Sequence, residues 1–82
     1  MGKYAPLNTY LNECRDPQVI LSFTQIEHIL GASLPKSART YDQWWNNEAD
    51  GSHVQARSWM LTHYRVSKVN MNGSSVTFTR SN

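Results

Sequence analysis

Apolar positions along the chain change their period several times, and each change marks an element. Leu7, Tyr10, Leu11 and Cys14 recur at three- and four-residue steps, which predicts an amphipathic first helix over about 6–14. Pro6 suits its first turn, and Arg15-Asp16-Pro17 stops it. Residues 18–23 form a short run rich in β-branched and apolar side chains, the mark of a buried strand. A second helix follows to Leu30. Two caps compete for its start, Thr24 with Glu27 and Ser22 with Gln25, because either pair can satisfy free amides reciprocally. Phe23, Ile26, Ile29 and Leu30 form its inward face, and Gly31 fits the left-handed position just past a helix end.

Beyond the turn at 32–35, Leu34 and Ala38, then Tyr41 and Trp45, keep helical spacing. A third helix is therefore expected from Pro35 or Ser37 toward Trp45, although the adjacent Trp44 and Trp45 also admit a short strand. Residues 46–52 read as a loop from their Asn, Asp, Gly and Ser. A fourth helix is expected over 53–63, capped by Ser52, with Val54, Trp59, Met60 and Leu61 as its apolar face. The strongest local signal is Asn72-Gly73 between 64–71 and 76–80, since Asn-Gly favours a type I′ hairpin turn with positive φ at both residues. Val69, Met71, Val76 and Phe78 then share one face, and Lys68, Asn70, Thr77 and Thr79 the other, whether the loop has two residues or four.

The order helix, strand, helix, turn, helix, extra helix, hairpin predicts an α+β fold of winged helix-turn-helix type. It has three or four short helices and a small antiparallel sheet that ends in a C-terminal hairpin, with the strand at 19–23 completing the sheet. Eighty-two residues support one core, so a single domain over 1–82 is expected, with 1–3 and 80–82 as loose ends.

Composition adds three points. Hydrophobic residues make up 39% and charged residues only 17%, enough apolar surface to argue against disorder. One cysteine excludes an internal disulfide and suits a reducing, cytoplasmic setting. No run is long enough to span a membrane, and a membrane partner is not expected. The net charge of +2 is unevenly divided: residues 1–50 carry four cations against six acids, whereas 51–82 carry Arg57, Arg65, Lys68 and Arg80 with no acid. A basic second half can attract a polyanion.

Several words in the chain carry a resemblance. Tyr4-x-Pro6-Leu7-x-x-Tyr10-Leu11 is followed by Leu21-Ser22-Phe23-x-x-Ile26-Glu27-x-Ile29-Leu30-Gly31-x-x-Leu34-Pro35-x-Ser37-Ala38-Arg39 and then by Trp44-Trp45-Asn46-Asn47. With Gln55, Trp59, Val66, Val76, Phe78 and Arg80, the chain resembles a family of short bacterial and phage domains of unknown function. It departs from that pattern at Thr62-His63-Tyr64, where an Ala-Gly-Trp-like step is expected. The resemblance implies no established activity. Proteins that resemble it occur near, or fused to, nucleic-acid-processing modules, which favours DNA binding by association alone.

No motif for catalysis, a cofactor or a metal is present. Cys14, His28, His53 and His63 lack zinc-ligand spacing, Cys14 falls on an apolar stripe, and the four glycines form no phosphate loop. A non-enzymatic protein is expected. Its nucleic-acid candidates are Lys36, Ser37, Arg39, Thr40 and Gln43 on the outer face of the third helix. Arg and Gln read base edges there, while Lys, Ser and Thr hold phosphate. Lys68, Asn70, Asn72 and Arg80 join them from the hairpin wing. Trp44 is a candidate for base stacking, while Arg39 is equally suited to a structural role beside aromatics. Non-specific duplex affinity should be modest, about micromolar, and a homodimer would raise it. The alternative is a protein-interaction module, such as a phage or mobile-element factor that blocks a host protein, with Tyr4, Trp44 and Tyr64 as aromatic anchors.

Overall fold

Ser22 decides where the first strand ends. Its Oγ accepts the N–H of Gln25 at 2.9 Å, and the Gln25 side-chain oxygen accepts the N–H of Ser22 at 2.8 Å. This reciprocal cap turns the chain from strand into helix in one step, so of the two competing caps the Ser22 pair is the one formed. A computed structural model describes residues 2–48 and 54–81. Among them lie helix α1 (Ala5–Glu13), strand β1 (Gln18–Ser22), helices α2 (Phe23–Leu30), α3 (Lys36–Thr40) and α4 (Val54–Met60), and strands β2 (Tyr64–Asn70) and β3 (Ser75–Arg80). Short 3-10 turns occupy Gly2–Tyr4 and Asp42–Trp45. The fold is α+β, and its antiparallel sheet has the order β1-β3-β2.

Strand β3 is central, as expected if the early strand joins the hairpin. Val19 pairs with Phe78 and Leu21 with Val76 on one side; Val66 pairs with Phe78 and Val69 with Val76 on the other. Val76 and Phe78 are fully buried under the helices. The opposite face carries Gln18, Ile20, Thr77, Thr79, Lys68 and Asn70, which the same register places together. Strict alternation would turn Val66 away from Val69. A bulge between Val66 and Lys68 restores both to the core side, because one extra residue shifts the parity of all that follow. The extra residue, Ser67, places its hydroxyl 2.7 Å from that of Thr79.

The hairpin connection differs from the type I′ expectation. Met71–Ser74 form the turn, and Ser74 (φ 54°) is left-handed while Asn72 and Gly73 are not. The Asn70 side chain folds across the turn and accepts the Gly73 N–H at 2.8 Å. A Cβ on residue 73 would lie 2.8 Å from the Asn70 amide nitrogen, so glycine serves close approach here rather than positive φ. Ser74 then accepts the N–H of Phe23 at 2.8 Å, fastening the turn to the start of α2.

A column of aromatic rings crosses the core. Phe23 stacks on Trp45 at 5.4 Å between centroids, Trp45 on Trp59 at 5.9 Å, and Trp59 leans on Phe78 at 5.8 Å. Each indole N–H has a partner: Trp45 donates to the Ala38 carbonyl and Trp59 to the side-chain oxygen of Asn47, both at 2.9 Å. The same Asn47 oxygen accepts the N–H of Val66 at 3.0 Å, and its amide donates to the Val66 carbonyl at 2.8 Å. One side chain therefore supplies the pairing that a neighbouring strand would give the edge of β2.

Two helical expectations fail. The third helix stops at Thr40, because Tyr41 is extended (φ −122°, ψ 123°), and Asp42–Trp45 restarts as a 3-10 turn. Trp45 still reaches the core, but Tyr41 does not and is 59% exposed. The fourth helix ends at Met60, and His53 and Ser52 lie outside the described residues. Its buried face is Gln55, Ala56, Ser58 and Trp59, while Val54 and Leu61 are exposed. Helix α4 meets α1 where the Asn8 amide donates to the Ser58 carbonyl at 3.2 Å. Such close approach suits small side chains, so apolarity alone misplaces this helix's inner face.

Asn47→Ala should lower unfolding free energy by about 1–3 kcal/mol, since it strands the buried Trp59 N–H. Urea denaturation with an unchanged m-value is the measurement; a loss below about 0.5 kcal/mol, the usual size for surface changes, would show the amide to be dispensable.

Candidate nucleic-acid interface

The surface built from α2, its following turn and α3 depends on one carboxylate. Gly31 (φ 71°) ends α2 and donates to the Glu27 carbonyl at 2.8 Å. The Glu27 carboxylate then spans the turn: one oxygen accepts the Leu34 N–H at 2.7 Å and the other lies 2.9 Å from an Arg39 guanidinium nitrogen. Arg39 also sits over the Phe23 ring at 5.5 Å. The Leu34 amide, then Arg39, hold the Glu27 carboxyl below its ordinary value. Charge-assisted bonds of this kind are shorter and stronger than neutral ones, and here they link the end of α2 to the turn and to α3.

Helix α3 buries Ala38 alone, while Lys36, Ser37, Arg39 and Thr40 are exposed. Gln43 is exposed on the 3-10 turn beside Asp42. Thr40 turns its hydroxyl to the Lys36 carbonyl at 2.8 Å. The five candidates thus share one stretch of surface, and Tyr41, assigned by spacing to the apolar stripe, joins them there. The broken helix makes the difference: nothing in a run of apolar spacings shows that the backbone becomes extended at one residue.

The wing candidates separate. Lys68 is exposed and lines a groove of about 260 Å³ with Asp42, Trp45, Asn46 and Asn47, so it borders the α3 side of the molecule. Asn72 is exposed on the hairpin turn, whereas the Asn70 oxygen is occupied by the turn's own amide. Arg80 lies at the far end of β3, opposite Tyr64 rather than on the wing. Its guanidinium covers the Tyr64 ring at 5.7 Å and donates to the Cys14 carbonyl at 3.3 Å.

Trp44 is half-buried and engaged on two sides, edge-on to Tyr4 at 5.9 Å and to Trp45 at 4.6 Å. The anchors expected for a protein partner are corrected at two positions. Tyr4 and Tyr64 are buried, and the Tyr64 hydroxyl donates to the Asp16 carbonyl at 2.6 Å. Burial first, then Asp16 and Glu13, push the Cys14 thiol up, which disfavours the nucleophilic thiolate. The basic residues of the second half do not form a patch. Arg80 is spent on Tyr64 and Cys14, and Arg65 donates to the Tyr64 carbonyl at 2.9 Å. Arg57 stands on α4 and Lys68 on the sheet. The residue that spacing missed is Asn47: it ends the Trp44-Trp45-Asn46-Asn47 word, but only the fold shows that it joins Trp59 to β2.

These features define a small α+β domain with its helices on one face of a three-stranded sheet and a polar surface at α3. The family model described as a domain of unknown function (DUF7662) matches residues 4–82, and the chain belongs to that family. Neither a curated protein nor a solved structure matches the chain. Among the described residues, no helix is long and apolar enough to cross a membrane.

The lowered Glu27 carboxyl gives a signed pH effect. Its contribution to stability is present above the unfolded-state value and is lost as pH falls through the lower folded one. Thermal unfolding of the wild type should therefore weaken as pH drops below about 4.5, the group's ordinary value, and Glu27→Gln should flatten that acid limb. Parallel acid limbs in the two proteins would show that the carboxylate does not hold the turn.

Proposed function

We propose that this chain is a non-enzymatic DNA-binding domain that contacts duplex DNA through the outer side of α3 and the following 3-10 turn, with the hairpin as an accessory wing. The element order and the β1-β3-β2 strand order are compatible with a winged helix-turn-helix. The observation that carries the reading is that α3 turns one small residue inward and all its polar ones outward, on the second helix of a helix-turn-helix pair. In this reading Lys36 and Lys68 hold phosphate, Ser37, Thr40 and Gln43 face the groove, and Asn72 approaches the backbone from the wing. Arg39 serves mainly to set the helix angle through Glu27, Arg80 is left to the core, and Trp44 is too enclosed to act as a stacking platform.

Only Lys36 and Lys68 are cations without an ion-pair or carbonyl partner on this surface among the described residues, and Asp42 lines the same groove as Lys68. Affinity for one copy is therefore modest and strongly salt-dependent. Titration of labelled duplex at two salt concentrations should show binding that falls with salt, and Lys36→Ala and Lys68→Ala should each reduce the log–log salt slope by about 1. Single-stranded DNA and RNA of the same length serve as comparisons. No duplex shift at low salt, or slopes unchanged in both variants, would remove the proposal.

A further inference from the structure

Val54 and Leu61, which spacing assigned to the core, are exposed on α4 and just past its end, with Arg57 between them at three- and four-residue steps. Val54 is 53% exposed and Leu61 64%. They line a cavity of about 460 Å³ with Gly2, Lys3 and Tyr4. The lining combines the Tyr4 ring, which meets Trp44 edge-on at 5.9 Å between centroids, with the two aliphatic side chains. Two cations stand at the rim. Lys3 places its Nζ 5.4 Å from the Tyr4 centroid. Arg57 has no salt bridge among the described residues. Among the described residues, no acidic side chain lines the cavity.

The combination selects its occupant. We infer that this cavity docks an acidic protein segment that carries an apolar anchor, a Leu, Phe or Trp side chain flanked by Asp or Glu. The anchor would enter between Val54 and Leu61, and the carboxylates would meet Lys3 and Arg57. A concave site of this size accepts a projecting side chain, whereas membrane attachment relies on a broad apolar face that lies in the interface. The two exposed cations steer acidic partners and repel basic ones, and an apolar anchor in a pocket supplies most of the affinity in such complexes. The inference uses none of the residues placed on the DNA-contacting surface, so either can fail without the other.

The test is selection of a random phage-displayed peptide library on the full chain. It is followed by fluorescence anisotropy of the best synthetic peptide, with vesicles of phosphatidylglycerol as a separate probe. Selected sequences should combine an aromatic or leucine anchor with flanking acids. Leu61→Asp and Arg57→Glu should each raise the dissociation constant at least about tenfold, and Arg57→Glu should prefer a peptide whose acids are replaced by lysine. Both positions are exposed, and circular dichroism and thermal unfolding should match the wild type. Winners without acids, or affinity indifferent to both variants, would overturn the inference. Vesicle binding in the absence of any peptide binding would overturn it in favour of an anionic membrane surface.

Discussion

Stacking of Trp45 between Phe23 and Trp59 is the contact on which the rest of the molecule depends. Neither α3, with five residues, nor the four-residue 3-10 turn after it can stand alone. Nucleating a helix costs about 4 kcal/mol, and so few residues cannot recover it by propagation. A buried tryptophan is worth about 3–5 kcal/mol when truncated, which is the right size to hold both pieces. Trp45 also ties them to each other, since its indole N–H ends on the Ala38 carbonyl of α3. The polar surface from Lys36 to Gln43 is thus positioned by what lies beneath it, and its own side chains remain largely free for solvent or a ligand.

Where local chemistry and tertiary packing agree, the sequence is readable. Gly31 after α2, the strand at Val19–Leu21 and the hairpin faces built on Val76 and Phe78 all follow from residue type and period, whereas the choice of the Ser22–Gln25 cap over the Thr24–Glu27 one does not. The misreadings occur where one residue departs from its neighbours' regime. Tyr41 has helical spacing but extended backbone. Ser67 adds a residue to β2 and brings Val66 inward. Ser74, not Asn72 or Gly73, takes the left-handed position, and its carbonyl accepts the Phe23 N–H. On α4 the error has a different source. The helix buries Gln55, Ala56, Ser58 and Trp59, and that choice of face leaves Val54 and Leu61 outside. Hydrophobicity measures how much a side chain prefers burial, whereas the distance between two helices decides whether there is room for it.

Charge is the least legible property of all. Counting along the chain concentrates the positive residues in the second half, yet folding disperses them. Arg80 covers Tyr64, Arg65 closes on a neighbouring carbonyl, Lys68 stands on the sheet and Arg57 overlooks a cavity on α4. In the first half, Arg39 is matched by Glu27. The same guanidinium that would make a good base contact is the one that sets the turn between α2 and α3. Such a pair favours a structural role, because releasing Arg39 to DNA would leave the Leu34 amide as the one hydrogen-bond partner of the Glu27 carboxylate among the described residues.

That trade bears on how a surface with so little net charge could hold a polyanion. Electrostatic attraction by Lys36 and Lys68 falls off within about 8 Å at physiological salt, so it can orient an encounter but supply little affinity. Most of the remaining contribution would have to come from neutral donors and acceptors, Ser37, Thr40, Gln43 and Asn72, whose hydrogen bonds replace bonds to water and yield about 1 kcal/mol each. A second copy on adjacent DNA, or a neighbouring domain with its own affinity, would convert that weak contact into a stable one through effective concentration. The rigidity imposed by Trp45 and by the Glu27 turn matters for this reason: short polar contacts are useful only when little order has to be created as they form.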